Sequence, residues 1–361
     1  MDRSFGLSRG VTAAGQLQKS YPPAAGNQPL PAGQPAVVTP DRLGIVDPGK
    51  GKPLELIVIG DTGGVKTPGP QNAVASAIEA ENPPAFIDHV GDVVYFNGDA
   101  SEYVPQFYEP YAGVGLPIVA IPGNHDGDTT DDASRLPLDT FMANFCTPGP
   151  AVPPGDPQME YGRHTQTLPW CDWGLELAQL TLLSLYSNVH AGGHIEASQT
   201  QWLTAQLAAA RADVPLIVQL HHPPYSVDAH HGGSKTMGDL LDKAFMAAGR
   251  WPDVVLSGHV HDYQRFSRTV TPTENASDER TVTYIVIGNS GYHNLHKLAK
   301  DATAGMDLGA GVTFEYGDAS EYGYLRLTVD AGKISGSYTG VTPGVMPDGS
   351  DRTITAGKDT F

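Results

Sequence analysis

Five short clusters of polar side chains hold the chemistry open to this sequence. They are Gly60-Asp61-Thr62-Gly63, Gly91-Asp92-Val93-Val94-Tyr95, Gly123-Asn124-His125-Asp126, Leu220-His221-His222-Pro223-Pro224-Tyr225 and Gly258-His259-Val260-His261. Carboxylate, carboxamide, phenol and imidazole without thiolate are donors for iron, manganese or zinc rather than for soft copper sites. A single Gly-Asp pair is usually a turn, and a single His-x-His is more often surface or core. Five clusters in succession exceed what turns require. Their donors are too many for one ion, which argues for two. Ser, Cys and Lys nucleophiles lack any supporting constellation, so covalent catalysis is not indicated.

Each cluster follows a strand-like run, at residues 54–59, 85–90, 117–121, 215–220 and 253–256. In α/β folds ligands gather beyond the carboxyl ends of strands, and a glycine lets the chain turn sharply there. Five such ends at one sheet edge would converge. Helical periodicity marks residues 71–81, with Val74, Ala77 and Ile78 on one face, and a second stretch near 103–111. Ser198 reads as the N-cap of a helix burying Trp202, Leu203, Leu207 and Ala210. Thr236 reads as the cap of another, with a stripe of Met237, Leu240, Leu241, Ala244, Phe245 and Ala248 and a closing Gly249. Such Met and aromatic stripes are core. Further strands fit 175–186 and 281–287, and 323–329 with 333–338 read as a hairpin. There is no internal repeat. The alternation predicts an α/β fold with a mixed sheet or sheets. Residues 1–52 read as an extended Pro/Gly-rich arm, 53–345 as the catalytic domain and 346–361 as a C-terminal tail. Within the domain, 127–173 is an irregular stretch that resembles an active-site insertion.

Bulk properties exclude several roles. With 361 residues and 40% hydrophobic content the chain can bury a sizeable core. Its net charge of −18 repels nucleic-acid phosphates and anionic membranes, so neither is an expected partner. No run approaches the roughly 18 apolar residues of a membrane helix. Residues 1–18 have no hydrophobic centre, which at face value keeps the chain in the cytoplasm; removal of a leader would make it secreted or periplasmic. Cys146 and Cys171 are the only cysteines, and a disulfide and two separate thiols both stay open. Nothing in the sequence sets an oligomeric state.

The order GD-x-G, GD-x-x-Y, GNHD, H-x-P-x-Y and GH-x-H resembles the calcineurin-like metallophosphoesterases, and among them the purple acid phosphatases. Most of that superfamily has a histidine two residues after the first aspartate; Gly63 stands there, as in purple acid phosphatases. Tyr95, three residues after Asp92, is the other diagnostic feature, and the run from His259 to Arg265 is similar to the family's last motif. The resemblance implies a four-layer αββα sandwich of two mixed β-sheets flanked by helices. It implies that Asp61, Tyr95 and His261 hold Fe(III), that Asn124, His221 and His259 hold Fe, Zn or Mn, and that Asp92 bridges the two. Such a pair of cations acidifies a water, orients a phosphate and neutralises its charge. It also implies that His125, His230 and His231 contact a small phosphate-ester substrate. One of them would protonate the leaving alcohol, giving a phosphomonoesterase (an acid phosphatase) that releases phosphate.

Other candidates carry blander readings. His89 within its strand reads as a hydrogen-bonded core histidine, His222 as a neighbour of the ligand His221, and His293 and His296 as structural rather than as site rim. His164, His190 and His194 sit in loop sequence without partner spacing. Asn275-Ala276-Ser277 matches a glycosylation acceptor but is a common chance pattern. The plant members of the family carry an N-terminal β-sandwich domain, for which 52 irregular residues are too few. A phosphodiesterase on the same metals is the nearest alternative, since only Lys66, Lys235 and Arg265 lie near the motifs to clamp a dianion. A catalytically inactive scaffold should have lost ligands, and every expected ligand is present.

Overall fold

The computed structural model describes residues 11–22, 32–129, 134–272, 278–346 and 348–361. The glycosylation pattern at 275–277 lies outside the described residues. One mixed sheet has six strands: β2 (Leu54–Ile59), β3 (Phe86–His89), β4 (Ile118–Ala120), β13 (Tyr322–Asp330), β14 (Lys333–Thr342) and β15 (Thr353–Thr360). Their spatial order is β15-β14-β13-β2-β3-β4, with β2, β3 and β4 parallel. The other sheet has nine strands: β1 (Val37–Val38), β5 (Trp173–Glu176), β6 (Thr181–Leu185), β7 (Leu216–Leu220), β8 (Val254–Ser257), β9 (Tyr263–Val270), β10 (Arg280–Ile287), β11 (Met306–Asp307) and β12 (Val312–Asp318). Its order is β1-β5-β6-β7-β8-β10-β9-β12-β11, with β6, β7, β8 and β10 parallel.

Strand periodicity explains the layering. In the nine-stranded sheet Leu182, Ile217, Leu256 and Ile285 join the core shared with the six-stranded sheet, while their sequence neighbours Leu183, Val218, Val255 and Tyr284 join a second core. That second core contains Leu203 and Leu207 of α5 (Ala197–Ala209) and Met237, Leu241 and Phe245 of α6 (Lys235–Ala248). Helix α2 (Gly69–Glu79) contacts β13 and β14. A period of two on buried strands and 3.6 on the helices thus yields two mixed sheets flanked by helices.

The local differences from expectation have physical causes. Ser234, rather than Thr236, caps α6: its hydroxyl accepts from Met237 N, and Gly249 closes the helix in the left-handed conformation at φ 63°. Glu196, rather than Ser198, occupies the N-cap of α5 without a side-chain bond. The stretch near 103–111 forms a π-turn at Val104–Tyr108, not an α-helix. Within the described residues of the irregular segment 127–173 lies the short helix α4 (Asp139–Phe145). Residues 346–361, read from the sequence as a C-terminal tail, contribute β15 to the sheet edge. The arm carries α1 (Ala13–Leu17) and β1, which pairs with β5. Both cysteines carry free thiols.

Candidate metal centre

The five strand ends do converge, but from two sheets rather than one edge. Asp61, Asp92 and Asn124 follow β2, β3 and β4, whereas His221 and His259 follow β7 and β8 of the facing sheet. The turns are also made differently from expectation. Asp61, Asp92 and His259 themselves adopt left-handed backbone, at φ 54°, 54° and 68°. Such conformations are costly for residues with side chains and cluster at functional sites. Of the preceding glycines only Gly91 has positive φ. Gly258 is needed for space, because a Cβ there would sit 3.1 Å from the carbonyl oxygen of Val90 and against the Asp61 carboxylate.

Two groups of donor atoms result. In the first, Tyr95 Oη lies 3.2 Å from Asp61 Oδ1 and 3.4 Å from His261 Nε2, and His261 Nε2 is 3.5 Å from Asp61 Oδ1. In the second, Asn124 Oδ1 is 2.9 Å from His259 Nδ1 and 3.2 Å from His221 Nε2. Asp92 Oδ2 approaches His221 Nε2 to 3.3 Å, and atoms of Asp61, Asp92 and His221 all fall within 4.8 Å of one another. Two of the three imidazoles are aimed by a backbone carbonyl: His221 Nδ1 donates to Val90 and His261 Nδ1 to Asn294. That turns both Nε2 atoms toward the carboxylates.

The electrostatics of this set call for cations. Burial pushes the Asp61 carboxyl up to about 8, despite the opposing charge of His221. Burial and then the Asp61 and Asp92 charges hold the Tyr95 phenol well above its usual range. Burial alone would lower His221, but Asp92 and Asp61 raise it to about 9. His259 and His261 are driven well down, by burial first and then by neighbouring imidazoles, and the buried Nε2 of His259 has no hydrogen-bond partner. Oxygen and nitrogen donors packed this closely repel unless positive charge lies among them. The residues present therefore fit two hard or borderline metal ions.

A sequence pattern describing the calcineurin-like phosphoesterases matches residues 54–263, the span that carries all five clusters. The chain belongs to this family. Among curated relatives, purple acid phosphatase 1 of Ipomoea batatas is 31% identical over 200 residues, covering 52% of this chain and 38% of that protein. The Fe(3+)-Zn(2+) purple acid phosphatase 12 of Arabidopsis thaliana is 29% identical over 187 residues, covering 48% of this chain and 36% of its own length. The chain thus spans well under half of these relatives. The structure of purple acid phosphatase PPD1 from yellow lupin aligns with a TM-score of 0.57 at 18% identity, over 88% of this chain and 55% of that one. At that identity the match speaks to the fold.

Around this phosphoesterase centre stand residues that sequence reasoning did and did not find. His125 is half-buried, with Nδ1 2.7 Å from Phe96 O and its ring 4.5 Å from that of Tyr95. The His231 ring lies 4.9 Å from His259, while His230 is exposed. His89 is the packed histidine expected of it, with Nε2 2.9 Å from Thr62 Oγ1 and burial lowering it to about 3. His222 bonds Ser187. His296, read as structural, in fact borders the site: its ring is 4.5 Å from His261, 5.0 Å from His230 and 5.2 Å from His231. Three supporting residues were missed. Asp126 accepts from Val93 N, Val94 N and Gly123 N, tying the second cluster to the third. Gln106 makes a two-way bond with the backbone of Tyr95, at 2.9 Å each way. Asp228 accepts from the backbone of both His230 and His231. All three bond backbone groups rather than other side chains, so the spacing of polar side chains does not announce their roles.

Proposed function

We propose that this chain hydrolyses phosphate monoesters at a dinuclear centre. Asp61, Tyr95 and His261 hold Fe(III), Asn124, His221 and His259 hold Fe, Zn or Mn, and Asp92 lies between the two sets. The observation that carries this reading is the pair of donor groups meeting at Asp92, each with three donor atoms no more than 3.5 Å apart along its chain of contacts. When bound, the two cations supply an acidified water and neutralise phosphoryl charge.

The chain's own residues do the rest. Phe96 O engages Nδ1 of His125, leaving its Nε2 edge for a phosphoryl oxygen. His231 is held low, at about 3, by burial and the facing His296, so it enters the cycle neutral and offers an N–H to the substrate. A phosphate monoester that enters as its monoanion brings the proton: the phosphoryl charge beside His231 raises the imidazole's affinity for it, and His231 passes it to the leaving alkoxide. His230 stands exposed on the same loop to meet the outer part of the ester.

One observation favours a second reading, a phosphodiesterase on the same metals. Lys235 is paired with Asp239 and Arg265 with Asp359, so neither is at hand to clamp a dianion. The deciding experiment compares a nitrophenyl phosphate monoester with the bis-nitrophenyl diester, using metal-loaded protein and Asp92→Asn as control. Faster monoester cleavage with a dead control supports the proposal. Faster diester cleavage transfers it to the second reading, and no cleavage of either by metal-loaded protein sinks both.

A further inference from the structure

The segment Thr12–Tyr21 lies against the loop that carries His230 and His231, and its bonds to that loop are too many and too specific for a passive tail. Thr12 caps α1 by accepting from Gly15 N, and Ala13 N donates to Asp301 Oδ1 at 2.7 Å, which anchors the far end. Ala13 and Gln16 are almost fully buried. Beyond α1 the backbone runs beside the loop: Gly233 N donates to Gln16 O at 2.9 Å, Ser226 N to Leu17 O at 3.2 Å, Lys19 N to Gly233 O at 2.7 Å and Lys235 N to Lys19 O at 3.0 Å. Side chains add three more bonds. Gln16 Nε2 donates to Asp228 O, Gln18 Nε2 to Pro224 O at 3.2 Å, and Tyr21 Oη to Gly232 O at 2.9 Å. A Cβ on Gly233 would collide with Leu17 O, so the segment lies flush on the loop.

The loop in turn organises the histidines. Asp228, whose carbonyl is held by Gln16, accepts through Oδ2 from His231 N at 2.6 Å, His230 N at 3.0 Å and His296 Nδ1 at 3.2 Å. None of the segment's hydrogen bonds reaches a candidate metal ligand. Removing it would leave carbonyls and amides on both sides of the histidine pair without partners, and buried polar groups do not stay unpaired when a loop can move.

We infer that Thr12–Tyr21 is a strap that positions His230 and His231 for substrate, with Gln16 acting through Asp228; this rests on the phosphoesterase reading above. The strap sets how phosphate is held and how the leaving group is protonated, and it leaves metal binding alone.

The test uses the full chain with Gln16→Met, which keeps volume but removes the amide donor, and Tyr21→Phe as a milder second variant. Three quantities are read: amide hydrogen exchange at Ser226, Gly233 and Lys235, iron and zinc content, and binding of inorganic phosphate. Rates on an alkyl and a nitrophenyl monoester are compared alongside. The expected result is faster exchange in the loop, unchanged metal content and about tenfold weaker phosphate binding for Gln16→Met, with a smaller change in the same direction for Tyr21→Phe. The alkyl ester should lose more rate than the nitrophenyl ester, because a poor leaving group depends more on the proton. Lower melting temperature with unchanged phosphate binding and an unchanged ratio of the two rates would overturn the strap as a positioning element. Loss of metal in either variant would overturn it too. If wild-type protein cleaves neither ester, the function proposed above fails, and exchange with phosphate binding still decides the strap.

Discussion

A Cβ at position 63 would lie 2.7 Å from Cδ2 of Tyr95 and against Gln106 Oε1, so a side chain two residues after Asp61 and the Tyr95 ring exclude each other. That is the physical content of having Gly63 where most of the superfamily has histidine. The phenol's burial, and the facing Asp61 and Asp92, favour its neutral form; a ferric ion in contact would reverse that preference. Iron-loaded protein is therefore expected to show a visible phenolate-to-iron absorption, and Tyr95→Phe to bleach it while Asp61 and His261 still bind iron. A variant that keeps its colour would take Tyr95 out of the iron's contacts. Gly63→Ala must push the ring and should shift or weaken the same band. At this scale the convergence of the five clusters was legible, because strand ends place the motif residues at fixed offsets. His296 and Asp228 were not readable, since their shared contact joins residues 68 apart in the chain.

Strands β3 and β7 show why elements position the site as firmly as they do. Each is followed by a proposed ligand, and between them the buried Asp88 Oδ1 accepts from Gln219 Nε2 across the two sheets, at 3.1 Å. Gln219 also donates to Ser184 on β6. Burial raises Asp88 to about 7, only partly offset by the Gln219 bond. The sign follows directly. Between roughly pH 4, where an unfolded carboxyl ionises, and pH 7, folding takes up a proton, so stability falls as pH rises through that window and levels off above it. Asp88→Asn keeps an acceptor for Gln219 and has no proton to lose. It should flatten this part of the stability curve and raise the melting temperature above pH 7, by a few degrees for about 1–2 kcal/mol in a chain of this size. Thermal unfolding of both proteins from pH 4 to 8 checks it, and parallel curves would clear Asp88 of the pH dependence. The apolar strands and both long amphipathic helices were legible because burial dictates their period. Strands β9, β12 and β15 were not: β15 is exposed over most of its length, and its pairing with β14 is set by neighbours rather than by apolar alternation.

At the scale of the whole molecule, 40 acidic residues against 22 basic ones surround a site built for an anion. Raising ionic strength from about 0.01 to 0.15 M shrinks the screening length from about 30 to 8 Å. This should increase kcat/KM on nitrophenyl phosphate by weakening long-range repulsion; a steep fall would mean that the local field of the metals dominates the approach. The two sheets that bring the ligands together must also stay in register, and the C-terminal strand contributes to that more than its polar sequence suggests. Asp359 of β15 belongs to the six-stranded sheet, yet its carboxylate takes Arg265 Nε at 2.7 Å, Arg265 Nη2 at 2.8 Å and Tyr263 Oη at 2.9 Å from β9 of the other sheet. Beside it the rings of Tyr263 and Tyr338 stack at 4.0 Å and 5°. Since β9 begins two residues after His261, this bolt also steadies the last ligand cluster. Asp359→Ala leaves a half-buried guanidinium and a buried phenol unpaired, a loss of roughly 2–3 kcal/mol, at or below the low end for broken buried pairs. The expected outcome is a melting temperature lower by about 5 °C or more, with weaker retention of the metal near His261 on dialysis. A change within about 1 °C would mean that the ion pair contributes little and that the sheets are held by their shared apolar core alone.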